Sequence, residues 1–126
     1  MSHNRRDADY LRDILEAMAR ISSYTAGMSF EGFMDDPRTQ DAVVRNLEVI
    51  GEATKRLSGE LRKKYRTIPW KDMAGVRDKL IHHYFGIEYK IVWSIASVDL
   101  PKLTDELKDI LAKEAIQLHL TDSVND

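Results

Sequence analysis

Apolar residues fall at three- and four-residue steps along most of the chain, and this spacing restricts the fold more than any other feature. A helix turns about 100° per residue, so such steps gather side chains on one face, whereas a strand needs alternation at every second residue. Leu11, Ile14, Leu15, Met18 and Ile21 trace one such face between Asp7 and about Thr25. Val43, Leu47, Ile50, Thr54, Leu57 and Leu61 trace a second, alternating steps of four and three as in a packed bundle seam. Sustained apolar and polar alternation is absent from the sequence, as are repeats and low-complexity stretches. The pattern predicts an all-α fold, an antiparallel bundle of four or five helices with short connections.

Local signals set the expected boundaries. Gly27 to Asp36 interrupts the first helix and ends in Asp36-Pro37, a capping carboxylate followed by a residue pre-set for the first helical turn. The second helix is expected to run from there to about Tyr65. Gly51 inside it gives up about 1 kcal/mol of helix propensity, which close approach of a neighbouring helix would explain. Thr67 to Trp70 reads as a connector and Met73 to Phe85 as a third helix, with Met73, Val76, Leu80 and Ile81 inward and Gly86 as its C-terminal stop. A fourth helix is expected over about Glu88 to Val98, with Ile91, Val92, Ile95 and Val98 as its stripe. Asp99-Leu100-Pro101 then reads as the start of a fifth, striped by Leu103, Leu107, Ile110 and Leu111. Trp70 and Trp93, each surrounded by apolar neighbours at helical spacing, are expected in the core or at an interface. At 126 residues the chain suits one domain, residues 1–116, with a frayed tail over 117–126.

Composition narrows the class. The chain is 43% hydrophobic and 32% charged, which suits a globular domain with no need of a cofactor. It has no cysteine, so disulfides and thiolate metal sites are excluded and a reducing compartment is permitted. The polar N-terminus does not resemble a signal peptide, and no apolar run reaches the roughly 18 residues that cross a bilayer. A soluble, cytoplasmic protein without membrane association is expected. Its net charge of -2 argues against bulk coating of nucleic acid, but Lys55 to Lys79 holds nine basic and three acidic residues, a local +6 against -8 elsewhere. This strip is a solvated helix face or, through Lys64, Arg66, Lys71 and Lys79, a surface for RNA.

The chemistry concentrates between Gly75 and Gly86. If this segment is helical, Asp78 and His82 lie one turn apart, and Arg77 and Tyr84 share a stripe two turns long. These groups suit metal-free RNA cleavage, in which the 2′-hydroxyl attacks the adjacent phosphorus and the leaving 5′-oxygen takes a proton. Histidine exchanges protons near neutral pH, and arginine's planar fork holds phosphate oxygens as charge accumulates. Asp78 could fix the His82 tautomer, and the Tyr84 hydroxyl could reach the phosphate or a sugar. One histidine supplies either a base or an acid, so a second copy across a twofold axis would complete the pair; His83 lies 100° around the helix and is a poorer second group. A metal shared by Asp78, His82 and His83 would lack a further ligand, and none is assigned.

Arginine followed five residues later by histidine is a weak pattern alone. The fuller block Arg77-Asp78-Lys79-Leu80-Ile81-His82-His83-Tyr84 resembles the Arg-polar-x-x-x-His-x-Tyr signature of the HepT-like branch of HEPN ribonucleases. Asn46-Leu47-Glu48-Val49-Ile50-Gly51-Glu52-Ala53, Ile68-Pro69-Trp70 and Asp99-Leu100-Pro101 are similar to that family as well, so the likeness spans about residues 7 to 112. It implies a HEPN-like homodimer whose motifs meet at the interface, and an endoribonuclease toxin of a type II toxin–antitoxin pair acting on RNA such as tRNA or mRNA. It also implies a nucleotidyltransferase-like antitoxin able to transfer AMP to Tyr84. Asp78 departs from the asparagine found in many members, and its carboxylate could partly neutralise Arg77.

The other reading is a non-catalytic helical interaction module that binds the nucleotidyltransferase without cutting RNA. Arg77 and Asp78 would then be a surface charge pair, and His82 and Tyr84 would merely finish a helix. The two readings part at His82.

Overall fold

The computed structural model describes residues 6–82 and 86–125, and its described part is helical apart from one short β ladder. Helix α1 spans Asp7–Thr25 as its spacing predicts, with Leu11, Ile14, Ala17, Met18 and Ile21 buried and Asp7 and Asp9 in the first turn, where the helix dipole favours negative charge. Gly27, at φ +74, turns the chain after it. A short helix α2, Phe30–Met34, then forms where only a break was expected. Ser29 caps it by accepting the Gly32 amide at 3.0 Å, and Phe33 is fully buried.

Helix α3, Pro37–Arg56, begins at Asp36-Pro37, with the Asp36 carboxylate accepting from the Thr39 amide and hydroxyl. Buried Gln40 donates to the carbonyls of Phe33 and Met34, tying the end of α2 to α3. The second helix was expected to reach Tyr65, but α3 stops earlier. Leu57 is extended, and Ser58 caps a separate helix α4, Gly59–Lys64. The Asp7 carboxylate accepts from the Ser58 amide at 2.9 Å and hydroxyl at 2.6 Å, giving the break its own partner. Leu57 and Leu61 remain buried on either side, so the apolar phase continues through a helix that does not.

Helices α5, Trp70–Ala74, and α6, Val76–Leu80, are separated at Gly75. Here the expected helix from Met73 to Phe85 is corrected. Helical backbone ends at Leu80, Ile81 is extended, and β1 (Ile81–His82) pairs antiparallel with β2 (Gly86–Ile87), Ile81 opposite Ile87 and His82 opposite Gly86. The Glu88 amide donates to the Leu80 carbonyl at 2.7 Å and Gly86, at φ +75, pairs with His82, so the glycine belongs to the β ladder rather than to a helix stop.

Helix α7, Tyr89–Ser94, passes through a π-helical stretch, Ile95–Asp99, into α8, Leu100–Asn125. The expected fresh start at Asp99 is therefore corrected, because the helix continues through Leu100. Buried Val92, Ala96 and Leu100 are spaced by four.

 

Val92, Ala96 and Leu100 lie on one buried side of this helix. Two steps of four overshoot two turns of α-helix by about 80°, and the wider π turn absorbs the excess. The same widening accommodates Pro101, which has no amide to donate and would crowd the carbonyl four residues back.

The core forms where α1 packs on α3 and α8, closed by α5, α6 and α7. Trp70 is buried and donates to the Tyr65 carbonyl, whereas Trp93 is half-buried against Phe33 and Phe30. Gly51 is buried, and a Cβ built on it would lie 3.3 Å from Val76 and 3.5 Å from the carbonyls of Met73 and Ala74. The close approach that its position in the helix suggests is thus to α5 and α6. Among the described residues no helix is long and apolar enough to cross a membrane.

Candidate active site

Position 77 is set by the contact at Gly51. With no Cβ between them, α3 and Val76 meet at van der Waals distance, and the next residue, Arg77, lies along the face of α3 beside α1. The resulting groove has a volume of about 370 Å³. Its walls include Tyr10 and Asp13 of α1, Arg45, Glu48, Glu52 and Arg56 of α3, and Arg77 itself. On α3 the four charged positions follow steps of three, four and four, a single stripe flanking the buried face.

Arg77 and Asp78 are both exposed, and among the described residues neither makes an ion pair or a side-chain hydrogen bond. Asp78 therefore does not occupy the Arg77 guanidinium by direct pairing, which leaves its donors available to a ligand. Lys79 instead reaches Asp72 at 3.2 Å.

The helical spacing that would place His82 one turn above Asp78 is overturned, since His82 stands on β1 beyond the end of α6. The same end of helix removes the continuous stripe between Arg77 and Tyr84. The backbone of His82 is placed by its pairing with Gly86; its ring, His83 and Tyr84 lie outside the described residues. Ile81, beside His82, leaves 47% of its surface exposed.

The basic residues divide into two kinds. Lys64 donates to Glu114 at 3.1 Å, and this hydrogen bond and the attraction of the carboxylate raise the pKa of its ammonium. Tyr65 donates to the same carboxylate at 2.7 Å; burial first, and then this bond, push its hydroxyl pKa up. Thr67 donates to Glu106, so the connector after α4 is held against α8. Arg66 and Lys71 are exposed and have no side-chain partner among the described residues.

The α3 stripe was not singled out as functional from sequence. Its signal was present, four charged residues at helical spacing within and around Asn46 to Ala53, but the partner that gives it meaning, Arg77, is joined to it only by tertiary packing.

Fold and site together define a helical domain with an arginine-centred groove next to a histidine-bearing hairpin. A family model described as ribonuclease HepT-like matches residues 14–110. A candidate RNase of Methanocaldococcus jannaschii is 50% identical over 102 residues, 81% of this chain and 84% of that protein. A candidate RNase of Caldanaerobacter subterraneus subsp. tengcongensis is 47% identical over 105 residues, 83% of this chain and 94% of that one. The probable ribonuclease HepT of Thermococcus cleftensis is 42% identical over 106 residues, 84% and 96% of the two chains. No solved structure gives a significant match. The chain belongs to the HepT-like ribonuclease family.

Proposed function

We propose that this protein is a metal-independent endoribonuclease, the toxin of a toxin–antitoxin pair, with Arg77 and His82 as the groups that act on the scissile phosphate. The observation that carries the reading is the Arg77 guanidinium, exposed and, among the described residues, unpaired in a groove at the helix that leads into His82. Family membership supplies the reaction class, RNA cleavage. Arg77 binds the non-bridging phosphate oxygens and stabilises the charge that builds on them. One His82 gives a proton to the departing 5′-oxygen, and the His82 of a second copy takes the proton of the 2′-hydroxyl, which makes the working unit a homodimer. Asp78 and Tyr84 border the same phosphate, and Lys64, Arg66, Lys71 and Lys79 hold flanking RNA.

Control belongs to the same proposal. AMP on the Tyr84 hydroxyl, placed there by a nucleotidyltransferase-like antitoxin, adds bulk and negative charge where an RNA phosphate binds. Incubation with ATP and such an enzyme is expected to yield an adduct on Tyr84 by mass spectrometry; modification confined to other residues contradicts this account.

The test of the nuclease is cleavage of RNA in EDTA by wild type and His82→Ala. Wild type is expected to cut, and the variant to lose activity by at least about 100-fold while keeping its helical circular dichroism. Undiminished cutting by His82→Ala rejects the assigned chemistry. An inert wild type leaves the non-catalytic module.

A further inference from the structure

The groove around Arg77 holds three carboxylates, and their circumstances differ. Glu52 is 66% exposed and pairs with Lys55 at 3.4 Å. Asp13 already has a partner. Glu48 is half-buried in the groove wall and, among the described residues, makes no side-chain hydrogen bond or ion pair. It stands three residues before Gly51, on the part of α3 that the Gly51–Val76 contact brings against α6.

From this arrangement we infer that Glu48 is the proton acceptor for the RNA 2′-hydroxyl, so that each subunit carries its own base. The inference rests on the nuclease reading above and changes one part of it: the base is a carboxylate of α3 rather than a second imidazole. In this step the Glu48 carboxylate takes the 2′-hydroxyl proton as the 2′-oxygen bonds to phosphorus. The bond from phosphorus to the 5′-oxygen breaks, and that oxygen takes a proton from the His82 imidazolium. The products are a 2′,3′-cyclic phosphate and a 5′-hydroxyl, with no proton or electron left over.

The surroundings suit such a base. Arg77 faces it from α6, Tyr10 and Asp13 from α1, and Arg45, Glu52 and Arg56 lie along its own helix. The guanidiniums of Arg45, Arg56 and Arg77 line the same groove and can hold the RNA phosphate there. A carboxylate base places the acidic limb of the pH–rate profile well below the limb that an imidazole base produces.

The experiment measures kcat/KM for RNA cleavage in EDTA from about pH 4 to pH 9 for wild type, Glu48→Gln and Glu48→Asp. Circular dichroism of each variant accompanies the rates. We expect Glu48→Gln to cut at least about 100-fold more slowly and to lose the acidic limb, and Glu48→Asp to keep that limb at an intermediate rate. Wild-type rates in Glu48→Gln overturn the inference, as does a uniform loss that leaves the acidic limb in place, which is the signature of a residue that only positions Arg77. If Glu48→Gln fails to fold, loss of the acidic limb in Glu48→Asp overturns it equally. Failure of this inference leaves cleavage dependent on His82; failure of the nuclease reading itself removes cleavage from wild type.

Discussion

At Gly51 two demands on one residue conflict. Mid-helix, alanine would be favoured over glycine by about 1 kcal/mol, yet a Cβ there would crowd the Val76 side chain at 3.3 Å and fill the contact distance to two backbone carbonyls. Gly51→Ala should therefore change stability little, the gain and the crowding offsetting each other. Gly51→Leu should cost about 1–3 kcal/mol in urea unfolding and lower RNA cleavage with it, because displacing Val76 displaces Arg77. Unchanged cleavage in a folded Gly51→Leu protein would disconnect that contact from the site. Asp36 offers a pH test. Its hydrogen bonds from the Thr39 side chain and amide hold its carboxyl below the ordinary carboxylate value. A depressed folded-state pKa contributes stability that is present above the unfolded value and disappears as pH falls through the folded one. Asp36→Asn is thus expected to melt below wild type at neutral pH, with the gap closing in acid; a gap independent of pH contradicts this assignment.

Elements whose signals are local were legible in the sequence, and those that depend on distant contacts were not. The bounds of α1 and the start of α3 at Asp36-Pro37 follow from spacing and caps within a few residues. The break at Leu57 was hidden because Leu57 and Leu61 keep the apolar phase of α3, while its cause, the Asp7 carboxylate on Ser58, comes from fifty-one positions away. The hairpin at Ile81–His82 was hidden because Leu80 and Ile81 extend the helical stripe, and only pairing with Gly86–Ile87 turns the chain. The site shares this division: Arg77 was recognisable by its type and its distance from His82, whereas its groove is built by α1 and α3. The π stretch yields an element-level prediction. It accommodates one residue beyond the α-helical count, so deleting Ser97 should leave Val92 and Leu100 in phase and be mild. Deleting Asp105 should rotate buried Leu107 and Ile110 by about 100° and cost at least about 3 kcal/mol in thermal or urea unfolding. Equal losses from the two deletions would deny the π stretch its phasing role.

Across the whole molecule, the proposed RNA-cutting surface combines a helical scaffold, the groove that Arg77 lines and the β ladder that carries His82. The net charge of -2 leaves RNA attraction to local cations, of which Arg66 and Lys71 are exposed and unpaired among the described residues. Replacing both with alanine should flatten the salt dependence of single-stranded RNA affinity by about 0.7 in log–log slope per contact removed, which filter binding at several salt concentrations measures. An unaltered slope places the RNA elsewhere. The reaction itself is read from the ends of the cut RNA. Wild-type protein incubated with RNA in EDTA should leave 2′,3′-cyclic phosphate and 5′-hydroxyl termini, and Arg77→Ala should leave the RNA whole. Termini bearing 3′-hydroxyl and 5′-phosphate, or cutting that requires added divalent metal, would contradict a 2′-hydroxyl attack guided by Arg77 and His82.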